Sequence, residues 1–328
     1  MSLIVFTRKI IEPKREIVIP TRVSGRFRLS LMKRDRAPHK VLEFDNLITN
    51  AGLNRLGKVQ DQPFGSQTVS SHFQIGSGNT APAVTDSALA SWLAGSNASV
   101  VAGQLDTYFA GPPDYAEVST LRRFAEGVGT GTIAEVGVAW AASGSLFSRA
   151  LVVDGVGTPT TIEKLADDIL DVEYFFRTYP PLDDVLGAIN ISGSSYDYTG
   201  RAASVNNVHA SSGPWSSNYH LSMAFSLTQA CAVAETNILG ARTAAPAGRV
   251  SRGTTPPMLP YVDNSLQRDC TFEFSLSEAN FASGLGAVCP FRRPSWDNPK
   301  YQFAFTPKIP KDNTKVLSLT FRQSWGRV

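Results

Sequence analysis

The sequence predicts a mainly β protein built of antiparallel β-sandwich domains with a few short helices. Three observations predict it. Six segments alternate apolar and polar residues with period two, turn-forming clusters separate them, and helix signals are few and short. Such two-faced segments are the signature of antiparallel sheets with one wet side.

The first segment sets Phe27, Leu29 and Leu31 against Arg26, Arg28 and Ser30. The stretch Asn46–Gly57 has room for two helical turns stopped by Gly57. A second helix is expected over Thr85–Gly95. Thr85 or Asp86 would cap it, Leu89, Trp92 and Leu93 would share a face, and Gly95 would end it. Asp154-Gly155-Val156-Gly157 reads as a hairpin turn. Leu170, Val172, Tyr174 and Phe176 then alternate against Asp171, Glu173 and Arg177 until Pro180-Pro181 stops the strand. Further strands are expected over Leu221–Leu227, Cys270–Leu276, Tyr301–Phe305 and Leu317–Trp325. Gly76–Asn79, Ser192–Ser195 and Pro310–Asn313 read as turns. Residues 241–260 carry four prolines and little periodicity, which predicts a long exposed loop. The expected organisation is a basic arm over 1–24, a β-sandwich domain over 25–182 and a second β-rich domain over 183–328. An aromatic strand before a proline turn in each half hints at two related sandwiches.

The chain has 328 residues, 42% hydrophobic and 18% charged, a folded composition somewhat poor in charge. Low charge suits surfaces that become covered by neighbours, but this fact alone favours an ordinary β-protein with a Ser/Thr/Gly-rich surface. A net charge of +3 argues against a nucleic-acid partner, because such binding calls for a clustered basic face. Arg26 and Arg28 read better as the wet face of a strand than as part of a nucleic-acid arm. Cys231, Cys270 and Cys289 lack the spacing of a zinc site or a disulfide framework, and Cys270 keeps step with Phe272 and Phe274 as a buried residue would. Synthesis in a reducing cytoplasm is expected. No apolar run reaches the roughly 20 residues that cross a bilayer, and the first residues lack the order of a signal peptide.

Catalytic constellations are hard to assemble. His39, His72, His209 and His220 show no metal-ligand spacing, and the sequence contains no G-x-S-x-G elbow. Asp167-Asp168 and Asp183-Asp184 read as solvated turns, since neighbours on a strand point to opposite faces and neither pair can flank one sugar bond. Gly127–Thr132 lacks the lysine and the following helix of a phosphate loop, and reads as a turn between strands. No cofactor is expected. The candidate contacts with a glycan or partner are Tyr196, Tyr198, Trp215 and Tyr219, aromatics in polar stretches. Packing beneath their own loops is the competing reading.

Certain phrases are familiar. Leu42–Gly57 contains Asn46-Leu47-Ile48 followed by Gly52-Leu53. Gly76–Leu89 runs Gly-Ser-Gly-Asn-Thr-Ala-Pro-Ala-Val-Thr-Asp-Ser-Ala-Leu. Phe147-Ser148-Arg149-Ala150-Leu151 precedes Leu170-Asp171-Val172-Glu173-Tyr174, and the chain closes on Phe305–Asp312 and Leu317–Arg327. Together these resemble tail-associated structural proteins of tailed bacteriophages. The resemblance covers mainly residues 25–180 and 300–328 and carries no catalytic residue. It implies a virion component of the tail, baseplate or fibre attachment, made in the bacterial cytoplasm. Its partners would be other tail proteins and further copies of itself. A module binding host surface glycan is the alternative, and a depolymerase acting on surface sugar ranks third.

Overall fold

The computed structural model describes residues 16–34, 36–58, 69–100, 105–207, 215, 230–252, 260–291 and 299–328. Their strands, in chain order, begin with β1 (Ile17–Lys33), β2 (Lys40–Asp45) and β3 (Leu47–Ile48), followed by the helix α1 (Asn50–Lys58). Next come β4 (His72–Gly76), β5 (Trp92–Ser96), β6 (Leu105–Phe109), β7 (Tyr115–Phe124), β8 (Gly131–Ile133), β9 (Glu135–Ala139) and β10 (Leu146–Leu151). Then follow β11 (Ile162–Lys164), β12 (Asp168–Tyr179), β13 (Val185–Ile191), β14 (Ser194–Ala202), β15 (Ala230–Ala234) and β16 (Val250–Arg252). The last four are β17 (Gln267–Phe274), β18 (Leu285–Phe291), β19 (Tyr301–Ile309) and β20 (Leu317–Arg327). The protein is mainly β, with antiparallel sheets predominating and, among the described residues, no closed barrel.

A seven-stranded sheet runs β17-β20-β1-β12-β7-β6, with β2 also on β1. One face carries two smaller layers: a five-stranded sheet, β3-β10-β9-β4-β5, and a six-stranded sheet, β13-β14-β19-β18-β15-β16.

The long strand β1 explains how one sheet serves two sandwiches. Its odd-numbered residues are buried from Ile17 through Leu31. Residues 17–23 pair in parallel with β20, and residues 26–31 pair antiparallel with β2 on that same edge. The opposite edge pairs with β12 from Arg22 onward. Gly25 lies at the handover, where a Cβ would stand 2.1 Å from the Tyr174 hydroxyl. Ile17 and Ile19 enter one core with Phe272, Phe303 and Phe321. Val23, Phe27, Leu29 and Leu31 enter the other with Phe73, Phe147 and Tyr174. Between the cores sits a buried polar trio. Gln323 Nε2 donates to Thr21 Oγ1 (3.0 Å) and to the Tyr301 hydroxyl (3.1 Å), and the two hydroxyls lie 2.9 Å apart.

The expected helix at 46–57 forms as α1. Thr49 Oγ1 accepts the Gly52 amide at 2.8 Å, satisfying one of the free donors of its first turn. The expected turns at 127–132, 154–157 and 192–195 are present.

Several expectations are corrected. No helix forms over 85–95. Residues 92–96 pair with β4 instead, and a buried arginine–glutamate pair holds the segment before them. Residues 17–24 of the expected basic arm are strand, because their alternation continues that of 25–31. The expected boundary at 182/183 cuts through the seven-stranded sheet, which β17 and β20 complete from the C-terminal side. Both faces of β19 are buried at Tyr301–Phe305, since this strand is central to its sheet. Asp168 is buried rather than solvated. Lys33 Nζ reaches both Asp167 (2.6 Å) and Asp168 (2.9 Å), and the Leu165 amide donates to Asp168. The expected strand at 221–227 lies outside the described residues, as do 253–259 of the 241–260 loop.

Candidate functional site

The site is a surface loop, residues 77–91, held from beneath by buried charges. Arg149 on β10 and Glu135 on β9 are diagonal cross-strand neighbours, because Arg149 stands opposite Gly137. Glu135 is 0% exposed and Arg149 2%. Arg149 Nε donates to Glu135 Oε2 at 2.8 Å, Nη1 to Asp86 Oδ2 at 2.7 Å and Nη2 to the Thr80 carbonyl at 2.8 Å. Glu135 Oε1 accepts the Gly78 and Ser91 amides at 3.0 and 2.7 Å, and Oε2 accepts the Ala90 amide at 3.0 Å. Asp86 Oδ2 accepts the Ala83 amide at 2.9 Å. Each buried charge thus meets both an opposite charge and main-chain groups, the condition under which burial of charge is tolerated.

Glycine is required where the loop crosses the glutamate. A Cβ at Gly78 would lie 2.4 Å from Glu135 Oε1, and one at Gly76 2.6 Å from it. The loop is tied to its surroundings as well. The Asn50 amide donates to the Val84 carbonyl at 2.7 Å, joining it to the start of α1, and the Leu146 amide reaches the Ser87 carbonyl. On the outside, Ser77, Asn79, Thr80, Ala81, Ala83, Val84, Thr85 and Ser87 are exposed. A cleft of about 170 Å³ adjoins the loop, lined by Asn79, Ala134, Leu151, Pro159, Thr160 and Thr161. It is smaller than the usual small-molecule pocket. The carboxylates of Glu135 and Asp86 are committed to Arg149 and to amides, so the arrangement is equipped for presenting a fixed surface.

Burial disfavours the charged form of Asp86. The Ala83 amide and Arg149 outweigh it and hold the carboxyl below its ordinary value. A depressed folded-state value means that this contribution is complete above the unfolded value near about pH 4 and is lost as pH falls further. Asp86→Asn should therefore melt below the wild type at pH 7, with the gap narrowing below about pH 4. Thermal denaturation of both proteins across pH 3–7 checks this, and a constant gap would count against the clamp.

A second feature is the outer face of the seven-stranded sheet, where arginines meet carboxylates and rings across strands. Arg123 forks onto Asp171 with two bonds of 2.7 Å, and Arg322 does the same to Asp269. Arg177 pairs with Glu117 at 2.6 Å and lies over the Tyr115 ring. Tyr115 in turn stacks on Phe109, with centroids 4.8 Å apart. Arg26 reaches Glu43 and covers Phe175. The expectation that Arg26 lies on a wet face is thus met.

The aromatic residues expected at a ligand or partner site are not brought together on the surface. Tyr196 and Tyr198 lie on β14 facing the second core and are 6% and 7% exposed. Trp215 is also buried. Its Nε1 donates to the Ala203 carbonyl at 2.9 Å, and its ring meets Tyr301 edge-on. The buried Lys300 ammonium stands 4.8 Å from the Trp215 ring centre, and burial holds its pKa well below the usual lysine value. The alternation of β14 (Tyr196, Tyr198, Gly200, Ala202) reads equally as a strand face, and packing decided it. Tyr219, His209 and His220 lie outside the described residues.

Glu135 and Arg149 did not stand out in the sequence. The available signal was a charge inside each of two apolar runs, Ile133–Ala139 and Leu146–Leu151, at positions where only a mutual partner makes burial tolerable.

All three cysteines are buried, and burial pushes the Cys270 and Cys289 thiols up to about 12. Among the described residues there is no group of three or more potential metal-ligating side chains, and no helix is long and apolar enough to cross a membrane. No protein-family model, curated protein or solved structure matches the chain.

Proposed function

We propose that the chain is a structural component of a bacteriophage tail, at the baseplate, tail tip or fibre attachment, acting by assembly with other virion proteins. The observation that carries the reading is the clamped 77–91 loop. Two of the phrases that resemble tail-associated proteins meet there. The loop is the Gly-Asn-Thr-Ala-Pro phrase itself, and Arg149 comes from Phe147-Ser148-Arg149-Ala150-Leu151. A loop already fixed by buried charges loses little further freedom when a neighbour grips it, which favours binding. The arginine and aromatic residues on the outer sheet face add a surface of the composition enriched at protein interfaces. Tyr196, Tyr198 and Trp215 are buried and present no stacking face, so the glycan-binding alternative draws no support from them.

Quantitative mass spectrometry of gradient-purified particles from a culture producing this chain is the test. The expected result is the chain in a fixed ratio to tail proteins. Recovery only in the soluble lysate would overturn the proposal.

A further inference from the structure

We infer that β13 is a self-pairing edge through which two copies of the chain join antiparallel. This rests on the assembly part of the reading above and names one partner, a second copy.

Among the described residues β13 is a terminal strand of the six-stranded sheet, with β14 on one side only. Ser192 (φ 51°) and Gly193 (φ 87°) form the two-residue turn into β14, with left-handed conformations at both central positions. In such a hairpin the flanking residues Ile191 and Ser194 exchange main-chain bonds, and so do the odd-numbered residues before Ile191. The N–H and C=O groups of Leu186, Ala188 and Asn190 therefore point away from β14. Among the described residues these groups have no main-chain partner outside the sheet.

Exposed edges are normally blunted by charge, proline, bulges or shortness. The other outer strands show such devices. β17 carries Arg268, Asp269 and Glu273, β2 carries Lys40, Glu43 and Asp45, and β6 is short at five residues. β3 and β16 have two and three residues, and the β4–β5 ladder is bulged. β13, Val-Leu-Gly-Ala-Ile-Asn-Ile, has no charge and no proline over seven residues, and Leu186 is 73% exposed.

The charges around β13 choose the direction. The exposed Asp183 stands before its first residue, next to Asp184, which Arg201 of β14 already neutralises with bonds of 2.7 and 2.6 Å, and the uncharged Ser192-Gly193 turn follows its last. Parallel pairing would bring the Asp183 carboxylates of both copies together. Antiparallel pairing about Ala188 sets each acidic end beside the other copy's turn. It places Leu186 opposite Asn190 and Ala188 opposite itself, giving about six main-chain hydrogen bonds in a two-fold, self-complementary contact.

The test is sedimentation-velocity centrifugation of the full chain over a concentration series, with two variants. Ala188→Pro removes an outward N–H and leaves the bonds to β14 in place, as tolerated on an edge strand. Leu186→Lys adds charge on the outer side. The wild type should show a concentration-dependent dimer, and each variant that keeps the wild-type circular dichroism should dissociate at least about tenfold more readily. Oxidised Ala188→Cys should cross-link to itself. A wild type that stays monomeric at every concentration, or folded variants that dimerise equally well, would overturn the inference. Dimerisation through β13 without entry into particles would instead refute the virion reading alone.

Discussion

Arg149→Ala is expected to destabilise the chain by about 3–5 kcal/mol, the usual cost of removing one partner from a buried ion pair. The substitution leaves Glu135, fully buried, with a charge and no cation. It also frees Asp86 and the Thr80 carbonyl, so the 77–91 loop loses its anchor. Chemical denaturation of the purified variant measures the loss. Limited proteolysis should show new cleavage within 77–91 before any elsewhere. Arg149→Lys should recover only part of the stability, because an ammonium cannot match the forked geometry that reaches two carboxylates and a carbonyl. An alanine variant within about 1 kcal/mol of the wild type would mean that the pair contributes no more than an ordinary surface one.

Phe27→Ala and Phe303→Ala test whether the two sandwiches are one unit. Phe27 packs against Phe44 and Tyr174, with centroids 6.0 and 5.0 Å away. Phe303 packs against Phe321 at 4.7 Å and Tyr198 at 6.5 Å. Both rings are fully buried, and each truncation should cost about 3–5 kcal/mol. The shared strand β1 gives the stronger expectation. Ile17 and Ile19 sit in one core and Phe27 and Leu29 in the other, on a single uninterrupted strand. Loosening either core therefore pulls on the sheet that closes the other. Each variant should shift one common unfolding transition, followed by intrinsic fluorescence and by calorimetry. If Phe303→Ala splits the transition and leaves the half containing Phe27 melting at the wild-type temperature, the cores are independent.

The alternation of β1, β12, β17 and β20 was plain in the sequence because each has one buried and one wetter face. It fails as a guide where strands are covered on both sides. Gln302 on β19 is fully buried, its Nε2 donating to the Gly240 carbonyl and its Oε1 accepting the Gly240 amide. The segment 85–95 carries helix-like spacing and a cap, yet main-chain donors taken up by Glu135 and the pairing of Trp92–Ser96 with β4 override that preference. The joining of N- and C-terminal strands was not legible at all, since parallel pairing of β1 with β20 links residues some 300 apart and leaves no local mark. The clamp was half legible. Its loop appeared as a recognisable phrase, but the two charges beneath it were hidden among apolar neighbours.

The proposed function of the 77–91 loop is to be gripped by another subunit, and hydroxyl-radical footprinting of free chain and of purified particles tests this most directly. Pro82, Val84 and Trp92 should be modified readily in the free chain and protected in particles, while the buried Phe73 and Phe147 stay protected in both. Equal modification of Pro82, Val84 and Trp92 in the two states would contradict the account.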